Sequence, residues 1–155
     1  MTTLTEVAKR GVKDQRDAST VDMASFLWAF EGLYMCRLDA VCSLLIKSGH
    51  DLFDPIRRKF ASSLEDIQNV DTSTKFKFLE EHEFDFLIKK QEQKLRNKIA
   101  HLDFELDDKG RILINGQVVD VRSKEHELMK RVSSITRAMT SAAHAQTKKR
   151  AQKRA

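Results

Sequence analysis

The chain has 155 residues, 41% of them hydrophobic and 33% charged, with a net charge of +5. That is one domain's worth of chain with enough apolar content to bury a core, which excludes disorder throughout. One Pro and five Gly are few punctuators for this length and argue for helices rather than a many-stranded sheet.

Residues 1–17 alternate polar and apolar weakly through Leu4, Val7, Ala8 and Val12, and are expected to form a loosely docked helix. They lack an apolar stretch followed by a small-residue cleavage site, so no secretory signal is expected and the expected location is cytoplasmic. From Thr20 to Lys47 apolar residues fall at 23, 26, 30, 33, 41, 44 and 45, with a second set at 27, 34, 38 and 42. A helix apolar on two sides is expected at the centre of a bundle, with Trp28 and Tyr34 as core anchors. Glu31, Arg37 and Asp39 interrupt it, so it does not reach the uncharged run of about 20 residues that a membrane span needs, and no membrane is expected as a partner. Cys36 and Cys42 are six residues apart on different faces, too far to bridge, and are expected to be buried thiols.

Ser48-Gly49 is expected to cap this helix. Asp54-Pro55 then has the form of an N-cap and first turn, with Ile56, Phe60, Leu64 and Ile67 at helical spacing behind it. A further helix is expected from about Lys75 to about His101, carrying Leu79, Phe84, Leu87, Ile88, Leu95 and Ile99. The period then changes. Phe104 and Leu106, Ile112 and Ile114, and Val119 and Val121 are separated by DDKG and NG, which predicts a two- or three-stranded sheet. Glu125 to Ala145 carries Leu128, Val132, Ile135 and Met139 on one stripe, a last helix packing on the bundle. The expected fold is mainly α, a bundle of about five helices with a small β-hairpin insertion near residues 103–121. One domain is expected over residues 1–147, followed by a flexible basic tail over 148–155. Five of the 28 basic residues lie in that tail (Lys148, Lys149, Arg150, Lys153 and Arg154), and the remainder equals the 23 acids. The tail is either a solubilising end or a salt-sensitive attachment to a polyanion such as RNA.

The end of the fourth predicted element, KLRNKIAHLDF, places Arg96, Asn97 and His101 close together. At about 100° per residue, Ile99 and Leu102 fall within about 40° of Leu95 and define the core side. Arg96, Asn97 and His101 then lie near 100°, 200° and 240° on that approximate scale, with Phe86 also on the outward side. Asn97 and His101 are i,i+4 neighbours. Lys89, Lys90, Lys94 and Lys98 surround them, with Glu92 the sole acid between 89 and 101. Such a patch either attracts RNA phosphates or forms an ordinary solvated helix face. Asp103, Glu105, Asp107 and Asp108 follow, and either repel nucleic acid or pair with the lysines. His50, His82, His126 and His144 show no metal-ligand spacing, so no metal and no cofactor is expected. Phosphate-binding glycine loops and a G-x-S-x-G turn are absent from the sequence.

Arg96-Asn97-Lys98-Ile99-Ala100-His101 resembles the Arg-Asn-x-x-x-His signature of the HEPN superfamily, small α-helical domains that include many endoribonucleases. The resemblance is specific over Phe84 to Phe104 and otherwise consists of compatible helical pattern. It implies a homodimer in which two motif faces meet to form an RNA-cleaving site that uses no metal, with Arg96, Asn97 and His101 catalytic and Lys89, Lys90, Lys94 and Lys98 binding RNA. Such domains often act in stress or antiphage defence, alongside an antitoxin or regulatory protein. One branch of the family carries Tyr two residues after the His, where this chain has Asp103, so that branch's toxin and nucleotide-modifying biology is not carried over. The alternative is a non-catalytic helical module that binds a protein or RNA partner through the same face.

Overall fold

A computed structural model describes residues 14–152, with side chains described over 14–145. It is mainly helical, with small antiparallel strand pairs. Most of the expected N-terminal helix, residues 1–13, lies outside the described residues.

Helix α1 (Gln15–Trp28) starts at Asp14, whose carboxylate accepts from the Asp17 amide at 2.9 Å. It passes without a break through a π-helical turn (Ala29–Tyr34) into α2 (Met35–Lys47). The combined rod is about 50 Å long at 1.5 Å per residue. Phe26, Phe30, Tyr34, Leu38 and Cys42 recur every four residues, and each is at most 1% exposed. Steps of four advance about 40° beyond a full α-helical turn, so four such steps would carry the stripe about 160° around the rod. The wider π turn takes up part of that drift and keeps one face inward. Met23, Phe26 and Phe30 of one apolar set and Tyr34, Leu38 and Cys42 of the other therefore form one buried stripe, which crosses from the first set to the second within the π turn. Trp28 and Cys36 each sit two residues past a buried position, about 200° away. Contrary to expectation, both face solvent, with Trp28 64% exposed. Tyr34 is buried as expected.

Gly49, at φ +96°, caps α2, and its amide donates to the Ile46 carbonyl at 3.0 Å. The helix expected after Asp54-Pro55 does not form. Strands β1 (Phe53–Asp54) and β2 (Lys59–Phe60) make a short hairpin instead. Asp54 accepts from the amides of Ile56 at 2.9 Å and Arg57 at 3.1 Å, closing a turn where a helical first turn was expected. Only α3 (Leu64–Asn69) remains of that element, and of its four expected core residues Ile67 alone is buried.

The long helix expected over 75–101 is two helices. Helix α4 (Thr72–Glu81) ends where Glu83 turns to φ +66° and the Phe84 amide donates to the Leu79 carbonyl at 2.8 Å. A 3₁₀ turn (Asp85–Leu87) leads into α5 (Lys90–Ala100). Strands β3 (Glu105–Leu106), β4 (Ile112–Ile114) and β5 (Gln117–Val118) form the expected antiparallel sheet, and Asn115 and Gly116 turn its second hairpin at φ +52° and +74°. Its first turn docks on α1, where the Ser19 hydroxyl donates to the Gly110 carbonyl at 2.7 Å. Helix α6 (Val121–Gln152) buries Leu128, Val132 and Ile135 against the rod. It runs past the expected end at Ala145, so residues 148–152 of the basic segment continue the helix. No helix of the described residues is long and apolar enough to cross a membrane.

Candidate functional site

Helix α5 turns Leu95 and Ile99 inward and leaves Asn97 and His101 exposed. His101 is the C-cap, and its amide donates to the Asn97 carbonyl at 3.0 Å. Leu102 follows at φ +57°, and the Asp103 amide closes the cap on the Lys98 carbonyl at 2.8 Å. That left-handed cap swings Leu102 off the core side it was expected to occupy, and it is 55% exposed. The imidazole of His101 makes no hydrogen bond to another described residue.

Asn97 and His101 line a cleft of about 710 Å³ between α5, the β4–β5 hairpin and the first turns of α6. Lys89, Lys94 and Lys98 line it with them. Lys98 is ion-paired with Asp103 and reaches Asn115 Oδ1 at 3.5 Å, so this part of the acidic hairpin pairs with a lysine. Lys89 and Lys94 make no ion pair with another described residue. Lys90 points elsewhere and pairs with Glu80 at 2.6 Å.

Arg96 lies on the other flank of α5. It lines a groove of about 500 Å³ together with Glu31, Gly32 and Cys36 of the rod and Lys75 of α4. Its Nε donates to Glu31 Oε1 at 2.7 Å, and its Nη1 donates to Asn97 Oδ1 at 3.1 Å. The Asn97 amide oxygen is thus engaged by Arg96, and the side chain lies between the two concavities. Arg96, Asn97 and His101 form a chain of neighbours around the helix, with Arg96 and His101 facing different hollows.

Sequence reasoning missed several groups. Glu31 leaves the rod within the π turn, and its signal was a lone acid inside an apolar passage. Glu92 lies at the cleft wall, 4% exposed, and accepts from Arg131 Nη1 of α6 at 2.5 Å. Burial raises its carboxyl pKa, and Arg131 partly opposes this. In the sequence Glu92 is an isolated acid among lysines, and its partner is 39 positions away. Asn115, Gln117 and Lys124 supply the opposite wall. Among the described residues no three His, Cys, Asp or Glu side chains gather as metal ligands. His50 and His82 stack edge to face at 4.3 Å, apart from this cleft.

The groove that holds Arg96 has a buried floor. Lys75 Nζ pairs with Asp39 Oδ1 at 2.6 Å, with both side chains at least nine-tenths buried. Nearby, burial pushes the Cys42 thiol up to about 12, helped by the Asp39 charge. Such a thiol stays protonated near neutrality and is a poor nucleophile.

No family model, curated protein or solved structure matches this chain.

Proposed function

We propose that the chain is a metal-independent endoribonuclease whose site is completed by a second copy, with His101 as the proton-transfer group. The observation that carries this reading is the exposed imidazole at the end of α5, in a cleft that also holds Asn97 and two lysines without an ion pair to another described residue. Imidazole is the side chain best suited to both accepting and donating a proton in general acid–base catalysis.

In the reaction, the RNA 2′-oxygen attacks its own phosphorus and the P–O5′ bond breaks. One imidazole takes the 2′-hydroxyl proton, and an imidazolium gives a proton to the departing O5′. The products are a 2′,3′-cyclic phosphate and a 5′-hydroxyl. Each chain offers one such imidazole at this face, so the two roles divide between two copies of His101. Arg96 would donate its guanidinium fork to the phosphate oxygens after exchanging Glu31 for substrate. Asn97, already bonded to Arg96, would position it. Lys89 and Lys94 would hold flanking phosphates, as would Lys98 on leaving Asp103. The biological setting that fits such an enzyme is stress or antiphage defence in the cytoplasm, with an antitoxin or regulatory protein as a further partner.

The Arg96–Glu31 pair favours a second reading, because a guanidinium already bound to a carboxylate has its charge spent within the fold. In that reading the domain is a non-catalytic module that binds a protein or RNA partner through the same face. Incubating the purified protein with single-stranded RNA in a chelator and mapping the product ends separates the two. Cyclic phosphate ends support the nuclease, and RNA binding without cleavage supports the module.

A further inference from the structure

The cleft has a lining, on α5 and on the wall that faces it, that RNA phosphates alone do not require. Leu95 of α5, together with Ile114 and Val119 of the sheet and the segment after it, gives an apolar lining, with Ile114 and Val119 only partly buried. Two exposed amides, Asn115 and Gln117, stand on the same wall, and Lys124 of α6 follows them. The Asn115-Gly116 turn fixes where these amides sit, since both residues adopt the left-handed backbone that a tight hairpin needs. Lys98 reaches across to Asn115, so the catalytic helix and the hairpin meet over the cleft.

We infer that this cleft is a nucleotide subsite: it seats one base of a single-stranded RNA against Leu95, Ile114 and Val119, with Gln117 and Asn115 hydrogen-bonding to the base edge, beside the phosphate handled at His101. Its size is in the range of small-ligand sites, roughly 300 to 1,000 Å³. Single-stranded RNA is recognised where unstacked bases enter apolar surfaces and their edges meet donors and acceptors. A side-chain amide carries both a donor and an acceptor, so it can pair with a base edge. The charge balance fits an anion with a flat apolar part. Glu92 is neutralised by Arg131, Asp103 is paired with Lys98, and Glu127 lies 3.2 Å from Lys124, while Lys89 and Lys94 have no such partner among the described residues. The inference rests on the nuclease reading for the chemistry at His101, and it assigns sequence preference to the β4–β5 hairpin.

The test is a titration of the full chain with each of the four nucleoside 3′-monophosphates, followed through the methyl signals of Leu95, Ile114 and Val119, with inorganic phosphate as the control. The methyl signals should move with nucleotide and stay in place with phosphate. Combining Gln117→Ala with Asn115→Gly, which suits the turn's backbone, should weaken binding by about fivefold or more and level the four affinities. Methyl signals that stay still, or that move equally with phosphate, would overturn the inference, as would unchanged affinities in the double variant. Binding is read here without cleavage. A protein that binds nucleotides but never cuts keeps the subsite and loses the nuclease, and one that cuts without moving these methyls does the reverse.

Discussion

Arg96 and Glu31 meet at 2.7 Å across the junction of α5 and the π turn, and this contact holds the guanidinium on the flank of α5 away from His101. The pair is partly exposed, with 33% and 50% of the two side chains accessible, so it contributes at most about 1 kcal/mol to stability. Its larger consequence is for binding.

Glu31→Gln removes the competing carboxylate and frees Arg96. RNA affinity should rise, and the slope of log affinity against log salt should steepen by about one phosphate contact. Thermal stability should change little. Filter binding over a salt series reads the slope, and an unaltered slope would mean that Arg96 never reaches phosphate.

Arg131→Ala leaves Glu92 as a buried carboxylate without its partner, which should cost about 3 kcal/mol or more in urea unfolding. Glu92→Gln tests the same pair through pH. Burial raises the folded-state pKa of Glu92, so the native protein holds that proton more tightly than the unfolded chain. The wild type's stability relative to Glu92→Gln should therefore be greatest at low pH and decline as pH rises above about 4.3, where the unfolded carboxyl ionises. A difference that is flat over that window would show that Glu92 titrates normally.

The floor of the Arg96 groove makes a separate forecast. Lys75→Ala strands Asp39 in a buried site and should destabilise the fold by about 3 to 5 kcal/mol. Lys75→Met combined with Asp39→Leu should recover most of that loss, because an apolar pair of similar volume avoids the cost of desolvating two charges. Equilibrium denaturation of the three variants and wild type tests this, and a double variant no better than Lys75→Ala would contradict it.

The fold class, the sheet after α5 and the outward face of Asn97 and His101 could be read in the sequence because each follows from periodicity or a turn dipeptide, as in Asn115-Gly116. The errors share a physical cause. Glu83 adopts a left-handed cap that side chains rarely adopt, so no Gly marked the break between α4 and α5. Asp54 caps a turn with the same side-chain chemistry that caps a helix, and the spacing of Ile56, Phe60 and Leu64 imitated a helical stripe. The π turn was hidden in the strict four-residue recurrence from Phe26 to Cys42. For the candidate site, α5 could be read from its own residues, whereas Glu31, Arg131 and the amides of the hairpin come from distant positions that only folding brings near.

The most direct test of the central claim compares His101→Ala with wild type on labelled single-stranded RNA in chelator, with circular dichroism recorded on both. The imidazole is exposed and makes no side-chain hydrogen bond to another described residue, so helical content should be the same in the two proteins. Cleavage should fall by about 10²-fold or more, the contribution typical of a positioned acid or base. Undiminished cleavage by a fully folded His101→Ala protein would contradict the account.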